Sequence, residues 1–216
     1  LRYGLIVFDW DGTLIDSTGA IAECIQEAAR EMGLAVPDRE RARHVIGLGL
    51  HASLRHAVPD LRAAQTMEFV ACYRRHFLAR EDDMQLYPGV IGLLEALRAR
   101  GHALAVATGK SRHGLERALD ATALRPYFAA TRCADETEPK PDPAMLRELL
   151  AELAEPPERT LMIGDTSHDL QMASAAGVDA VAVCYGAHAE RSLRALGPRA
   201  CVPSVEDLRR WLHEHA

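Results

Sequence analysis

The sequence predicts an α/β fold: a Rossmann-like parallel sheet covered by helices, with an all-helical cap inserted into it. Three observations lead there. Short strand-like apolar runs recur along the chain at "YGLIVF", "HALAVAT", "AATRC", "TLMIG", "DAVAV" and "ACVP". From Leu86 onward they alternate with helical patterns, which is the signature of a parallel sheet with helices on both faces. Between Ser17 and about Asp83 the strand-like runs stop altogether.

Taken in order, the first run ends directly in Asp9, so β1 is expected at residues 3–8. The next segment has apolar residues at helical spacing in "AIAECIQEAAREMG" and "MEFVACYRRHFLAR". Pro37, Gly47, Gly49 and Pro59 divide it into roughly four helices. The remaining helices are expected in "GVIGLLEALRARG", "SRHGLERALDATAL", "DPAMLRELLAELA", "HDLQMASAAG" and "VEDLRRWLHEH". Gly101 follows the first of these as a stop, and Asp142 before Pro143 provides a cap and first turn for the third. Residues 1–15 and 84–216 therefore form the expected core domain and residues 16–83 the expected cap. Internal repeats and low-complexity tracts are absent.

A chain of 216 residues with 48% hydrophobic and 26% charged residues can bury a sizeable core and reads as globular. No apolar run approaches the ~18 residues of a membrane span. The start, "LRYG", lacks the basic-then-apolar pattern of a secretory signal, so the cytoplasm is the expected compartment. A net charge of -6 argues against a nucleic-acid surface, which calls for a basic stripe. Cys24, Cys72, Cys133, Cys184 and Cys201 are widely spaced among apolar neighbours and read as small buried hydrophobes, neither disulfides nor a zinc site. Of the 25 basic residues only Lys110 and Lys140 are lysines.

Functional groups in an α/β sheet collect where strands end. Three expected strand ends carry such groups: Asp9 and Asp11, Thr108, and Asp165 with Asp169 one helical turn beyond it. Residues two apart on an extended segment, or four apart on a helix, share a face, so four carboxylates can converge. Their mutual repulsion then calls for a shared proton or a cation. Oxygen-only ligands favour a hard ion, and Mg²⁺ fits best because it accepts a few carboxylates, waters and a phosphate oxygen. The backbone around Gly12 and Gly109 can approach an anion, Thr108 offers a hydroxyl, and Lys140 or Lys110 offers positive charge. Taken singly, an Asp after a strand is a turn residue or cap, as expected for Asp16 and Asp142. The histidines are scattered, and His168 stands out only for lying inside the acidic motif.

Together these residues resemble the haloacid dehalogenase superfamily of phosphohydrolases. "DWDGTL" is similar to its first motif, Thr108 to its second, Lys140 in "PKPDP" to its third, and Asp165 and Asp169 in "GDTSHD" to its fourth. A helical cap directly after the first motif marks the subgroup similar to phosphoglycolate phosphatases. The resemblance implies that Asp9 is the nucleophile, forming an aspartyl-phosphate, and Asp11 the general acid and base. It implies Mg²⁺ held by Asp9, the Asp11 carbonyl and Asp165, with Asp169 acting through water or as a supporting partner. Thr108, the Gly109 N–H and Lys140 would neutralise the transferring phosphoryl group.

The substrate expected is a small anionic phosphate ester, phosphoglycolate first, acted on by a monomer or homodimer. The cap loop "HVIGLGLHASLRH" is expected to face the core, with Arg43 and Arg55 as candidate substrate contacts among His44, His51 and His56. Two rivals are weaker. A β-phosphoglucomutase-like transferase calls for a His and an Arg where Ile21 and about Leu50 stand, and a non-catalytic receiver-like module is about half this length and has no cap.

Overall fold

Strand β1 (Leu5–Phe8) is buried along its whole length. Leu5 and Val7 join the apolar cluster on one face of the sheet, while Ile6 and Phe8 join the cluster on the other. A strand with two covered faces has no polar side to alternate with, which is why it reads as an unbroken apolar run. The computed structural model describes residues 2–216.

The five other strands are β2 (Ala103–Thr108), β3 (Ala130–Cys133), β4 (Thr160–Gly164), β5 (Asp179–Val183) and β6 (Ala200–Val202). They form one sheet in the order β3-β2-β1-β4-β5-β6, with every neighbouring pair parallel. All six lie within the expected runs. The chain builds outward from β1 to β2 and β3, then crosses back to place β4 on the other side of β1. The carboxyl ends of β1 and β4 therefore border the switch point, where a crevice opens in this topology.

Four helices, α1 (Thr18–Glu31), α2 (Arg39–His44), α3 (Leu50–Ala57) and α4 (Thr66–Leu78), stand between β1 and β2. Their own buried cluster includes Ile25, Leu54 and Phe69, and among its fully buried members only Ala187 comes from beyond residue 84. The chain leaves and returns side by side: Asp16 N donates to Gln85 O at 2.9 Å and Tyr87 N to Leu14 O at 3.0 Å.

On one face of the sheet pack α5 (Val90–Ala99), α6 (Arg112–Thr122) and α10 (Val205–His215); on the other pack α7 (Ala144–Leu153) and α8 (Ser167–Ala176). The expected punctuation of these helices recurs with one shift. Gly101 takes φ +90 just after α5, a left-handed stop that glycine adopts at no steric cost. Helix α7 begins at Ala144, one residue later than expected, and Asp142 accepts the Ala144 N–H at 2.9 Å. A short helix, α9 (Glu190–Arg194), was not legible because five residues are too few to show a period. Among the described residues no helix is long and apolar enough to cross a membrane.

Candidate active site

Asp9 follows β1 directly, and its N–H is fixed by Ile163 O of β4 at 2.9 Å. Its carboxylate is buried, yet neither oxygen accepts a hydrogen bond of good geometry. The nearest charge is the ammonium of Lys140, 2.8 Å from Asp9 Oδ1. Burial holds the Asp9 carboxyl well above the usual carboxylate range; Lys140 pulls it down, while Asp169 and Asp165 push it further up. A buried carboxylate without donors is costly unless something outside the protein satisfies it.

Asp165 follows β4 across the crevice. Thr13 donates to its Oδ1 at 3.0 Å and Ala187 N to its Oδ2 at 2.6 Å. Burial first, then repulsion from Asp169, pushes its pKa up to about 7 against these donors and Lys140. Asp169 lies in the first turn of α8, where it completes a reciprocal cap with Thr166. Its Oδ2 accepts from Thr166 N at 3.0 Å and Thr166 Oγ at 2.7 Å, and its Oδ1 accepts from Lys140 Nζ at 2.6 Å. Burial alone would lower the Lys140 pKa, but Asp169 and Asp9 together raise it, so the ammonium stays charged.

Asp11 is two residues past Asp9 and borders a cavity. Ser17 donates to its Oδ1 at 2.7 Å, and Lys110 Nζ stands 3.1 Å from the same oxygen. The turn directly after Asp11 requires Gly12: at φ +80 a Cβ would collide with the Asp165 carboxylate and lie 2.7 Å from the Thr18 methyl. Thr108 ends β2 fully buried, and its Oγ accepts the Lys110 N–H at 3.2 Å. Beside it, a Cβ on Gly109 would stand 2.6 Å from the carbonyl oxygens of both Gly47 and Leu48. The loop after α2 thus lies directly against the end of β2.

Between α1–α4 and the strand ends is a cavity of about 740 Å³. Asp9, Asp11, Gly109 and Lys110 line it from the sheet side, and Ile21, Ile25, Tyr73 and Phe77 line it from the helices. Thr108 and Lys140 are buried and do not line it. Lys110 spans the two sides, its Nζ 4.8 Å from the Phe77 ring centroid.

The two arginines flanking the glycine-rich loop separate. Arg55 lines the cavity. Arg43 does not; its guanidinium donates to the carbonyls of Gly186 and Ala187, the loop whose Ala187 N–H holds Asp165. His168 is likewise a tie between the two parts, its Nε2 2.9 Å from His44 O. His188 joins it at 3.0 Å from the same oxygen; because Ser167 N donates to His188 Nδ1, the proton is on Nε2. Burial lowers the His188 pKa to about 4, so this ring stays neutral. Of the other loop histidines, His51 lines the cavity and His56 does not.

One carboxylate oxygen from each of Asp9, Asp165 and Asp169 lies within 4.8 Å of the other two. Oxygen-only donors, two of them unsatisfied on Asp9, fit a hard divalent cation. Asp9 and Asp165 keep free lone pairs for it, whereas those of Asp169 are largely taken by Lys140 and Thr166.

Comparison with known proteins agrees with this arrangement. The family described as haloacid dehalogenase-like hydrolase matches residues 6–183. The chain belongs to the haloacid dehalogenase-like hydrolases. It is an enzyme, and relatives of similar length carry the names of phosphoric monoester hydrolases. The probable phosphatase IndB of Dickeya dadantii is 34% identical over 210 residues, covering 94% of this chain and 91% of that protein. A 5'-nucleotidase of Pseudomonas aeruginosa is 34% identical over 218 residues, covering 100% and 98%. The crystal structure of a predicted phosphoglycolate phosphatase from Haemophilus somnus superposes with a TM-score of 0.87 at 26% identity, covering 98% of this chain and 99% of that one.

Several supporting residues were not singled out in the sequence. Thr13 and Thr166 lie inside the two acidic motifs, and the Thr-x-x-Asp spacing of a capping pair was a readable signal for the second. Arg74 lines the cavity from α4 and has no local signal at all.

Proposed function

We propose that this hydrolase is a Mg²⁺-dependent phosphatase that cleaves a small phosphate monoester through an aspartyl-phosphate on Asp9. The observation that carries the reading is the Asp9 carboxylate: buried at the cavity floor, rigidly attached to β1, and accepting no hydrogen bond of good geometry, with only the Lys140 ammonium, 2.8 Å from one oxygen, beside it. Asp9 attacks phosphorus, and the bond to the leaving alkoxide breaks. Asp11 delivers a proton to that alkoxide. As a carboxylate it then takes a proton from the water that attacks the aspartyl-phosphate, releasing inorganic phosphate and restoring Asp9.

Ser17 and Lys110 hold Asp11 by one oxygen, which leaves the other for proton transfer. Lys140, Thr108 and the Gly109 N–H offset the negative charge of the transferring group. Mg²⁺ held by Asp9, Asp165 and the Asp11 carbonyl, with Asp169 in support, would neutralise the charge between nucleophile and phosphate oxygen. Residues 16–83 act as a cap that excludes water while residues 1–15 and 84–216 carry the chemistry.

For the leaving group, an anionic tail is favoured by Arg55 and Arg74, cations on the cavity wall that form no ion pair among the described residues. Phosphoglycolate is the first candidate. A nucleotide is the second, supported by the cavity volume of about 740 Å³ and the apolar wall of Ile21, Ile25 and Phe77. That same apolar wall, with Ile21 where a mutase would place a His, speaks against phosphotransfer between sugar hydroxyls. Phosphate release from a panel of phosphoglycolate, sugar phosphates, nucleotides and pyridoxal phosphate tests the assignment. Turnover of none of these with Mg²⁺ present would overturn it.

A further inference from the structure

A second group of metal-ligating side chains lies on α1 and α4, away from the residues that line the cavity. Glu27 and Glu31 are one turn apart on α1, and Cys72 and His76 one turn apart on α4, so each pair shares a helix face. The two helices pack together and bring the faces into register. Cys72 Sγ lies 3.3 Å from Glu31 Oε2, and His76 Nε2 lies 2.9 Å from the same oxygen. One donor atom from each of Glu31, Cys72 and His76 falls within 4.8 Å of the other two. With metal bonds of 2.0–2.3 Å, neighbouring ligands of a tetrahedral zinc ion stand about 3.4 Å apart, a spacing these three side chains reach by rotamer adjustment without moving either helix.

The fourth residue supplies an independent reason. Glu27 Oε2 is a buried oxygen without a hydrogen bond of good geometry, and it lies 3.2 Å from His76 Nδ1, the ring nitrogen facing away from Glu31. A carboxylate behind the distal nitrogen of a metal-bound histidine fixes its tautomer and raises its basicity. Glu27 is itself held by Arg80 at 2.7 Å. The arrangement therefore has three candidate ligands and a supporting carboxylate, with Cys72 buried and His76 half-buried.

We propose that Glu31, Cys72 and His76 form a binding site for a borderline-soft divalent cation of the zinc type, supported by Glu27, which ties α1 to α4. The ion takes the place of the thiol proton, which leaves to solvent, and water fills the fourth position. Donor type separates this site from the carboxylate cluster at Asp9: a thiolate and an imidazole select zinc over magnesium. Arg75 is the competitor, paired with Glu31 and 3.5 Å from Cys72 Sγ. Its side chain is exposed and can swing into water. The site was not readable from the sequence, where Cys72 stands alone and its Glu31 partner lies 41 positions away.

Cobalt titration of chelator-treated, reduced protein tests the proposal without reference to catalysis. Thiolate ligation gives a near-ultraviolet charge-transfer band that a carboxylate site cannot produce. One equivalent of Co²⁺ should produce that band, and Zn²⁺ should abolish it by displacement. Cys72→Ser and His76→Ala should remove it, Glu27→Gln should weaken binding about 10-fold, and Arg75→Ala should strengthen it. Asp165→Asn should leave the band intact. Absence of the band in the wild-type protein, or its persistence in a folded Cys72→Ser variant, would overturn the proposal.

Discussion

Lys140 Nζ stands 2.8 Å from Asp9 Oδ1 while donating its hydrogen bond to Asp169 at 2.6 Å. One ammonium thus sits between the proposed nucleophile and the helix-capping carboxylate, all three side chains being buried. Removing one partner of a buried ion pair leaves uncompensated charge, at a cost of about 3–5 kcal/mol. Lys140→Met should therefore lower the melting temperature in metal-free buffer and reduce turnover by about 10²–10³-fold. Mg²⁺ should raise the melting temperature of the variant more than that of the wild type, because it restores positive charge beside Asp9. An unchanged melting temperature would show that Lys140 does not carry this compensation.

The raised pKa values predict a pH dependence that metal should reverse. The carboxyl of Asp165 is raised from 3.8 to about 7, and that of Asp9 is raised as well, in both cases chiefly by burial. The folded protein then binds more protons than the unfolded chain between these values, so the stability contribution is fully present below about 4 and is lost as pH rises through about 7. Melting temperatures in chelator should fall across this window. With Mg²⁺ present the fall should be smaller, so the stabilisation by Mg²⁺ should grow with pH. A constant gap between the two curves would contradict the coupling.

Gly109 tests closure of the helical segment. A Cβ there meets backbone on the opposing loop, which cannot rotate out of the way as a side chain can. Gly109→Ala should hold the cap away from the strand ends, lowering kcat/KM while leaving the melting temperature nearly unchanged. Equal activity of the variant and the wild type would mean that the close approach of Gly47 and Leu48 is not needed for turnover.

Arg43 and Arg55 should differ in kind. Arg55→Ala should reduce kcat/KM for phosphoglycolate more than for nitrophenyl phosphate, whose tail carries no carboxylate. Arg43→Ala should leave that ratio alone and instead raise the Mg²⁺ concentration needed for half-maximal activity, because it loosens the loop that holds Asp165. If Arg43→Ala shifts the substrate ratio and not the Mg²⁺ requirement, the two assignments are exchanged.

What could be read from the sequence follows from distance along the chain. The run Leu5–Phe8 and its two aspartates report themselves within a few residues, as do Thr108 and the Asp165/Asp169 pair, because strand ends and first helical turns are local features. The cap contacts do not. Arg43 and Arg55 both flank the same glycine-rich loop, and only the packing of α2 against residues 186–188 shows that one faces the Asp165 loop and the other the cavity. Arg74 enters from a different helix. Position in the sequence carries little information about which face of a short helix meets a neighbour, so the helical lining of the cavity was the part least open to reading.

The covalent step is the centre of the account. Enzyme quenched in acid during turnover of phosphoglycolate or nitrophenyl phosphate should carry one phosphoryl group, and peptide mass spectrometry should place it on Asp9. Asp9→Asn should carry none and should lose activity on both substrates. Asp11→Asn should retain the mark and, relative to the wild type, lose less activity with nitrophenyl phosphate, whose leaving group needs no proton. A phosphoryl group on Asp165, or full turnover by Asp9→Asn, would contradict the account.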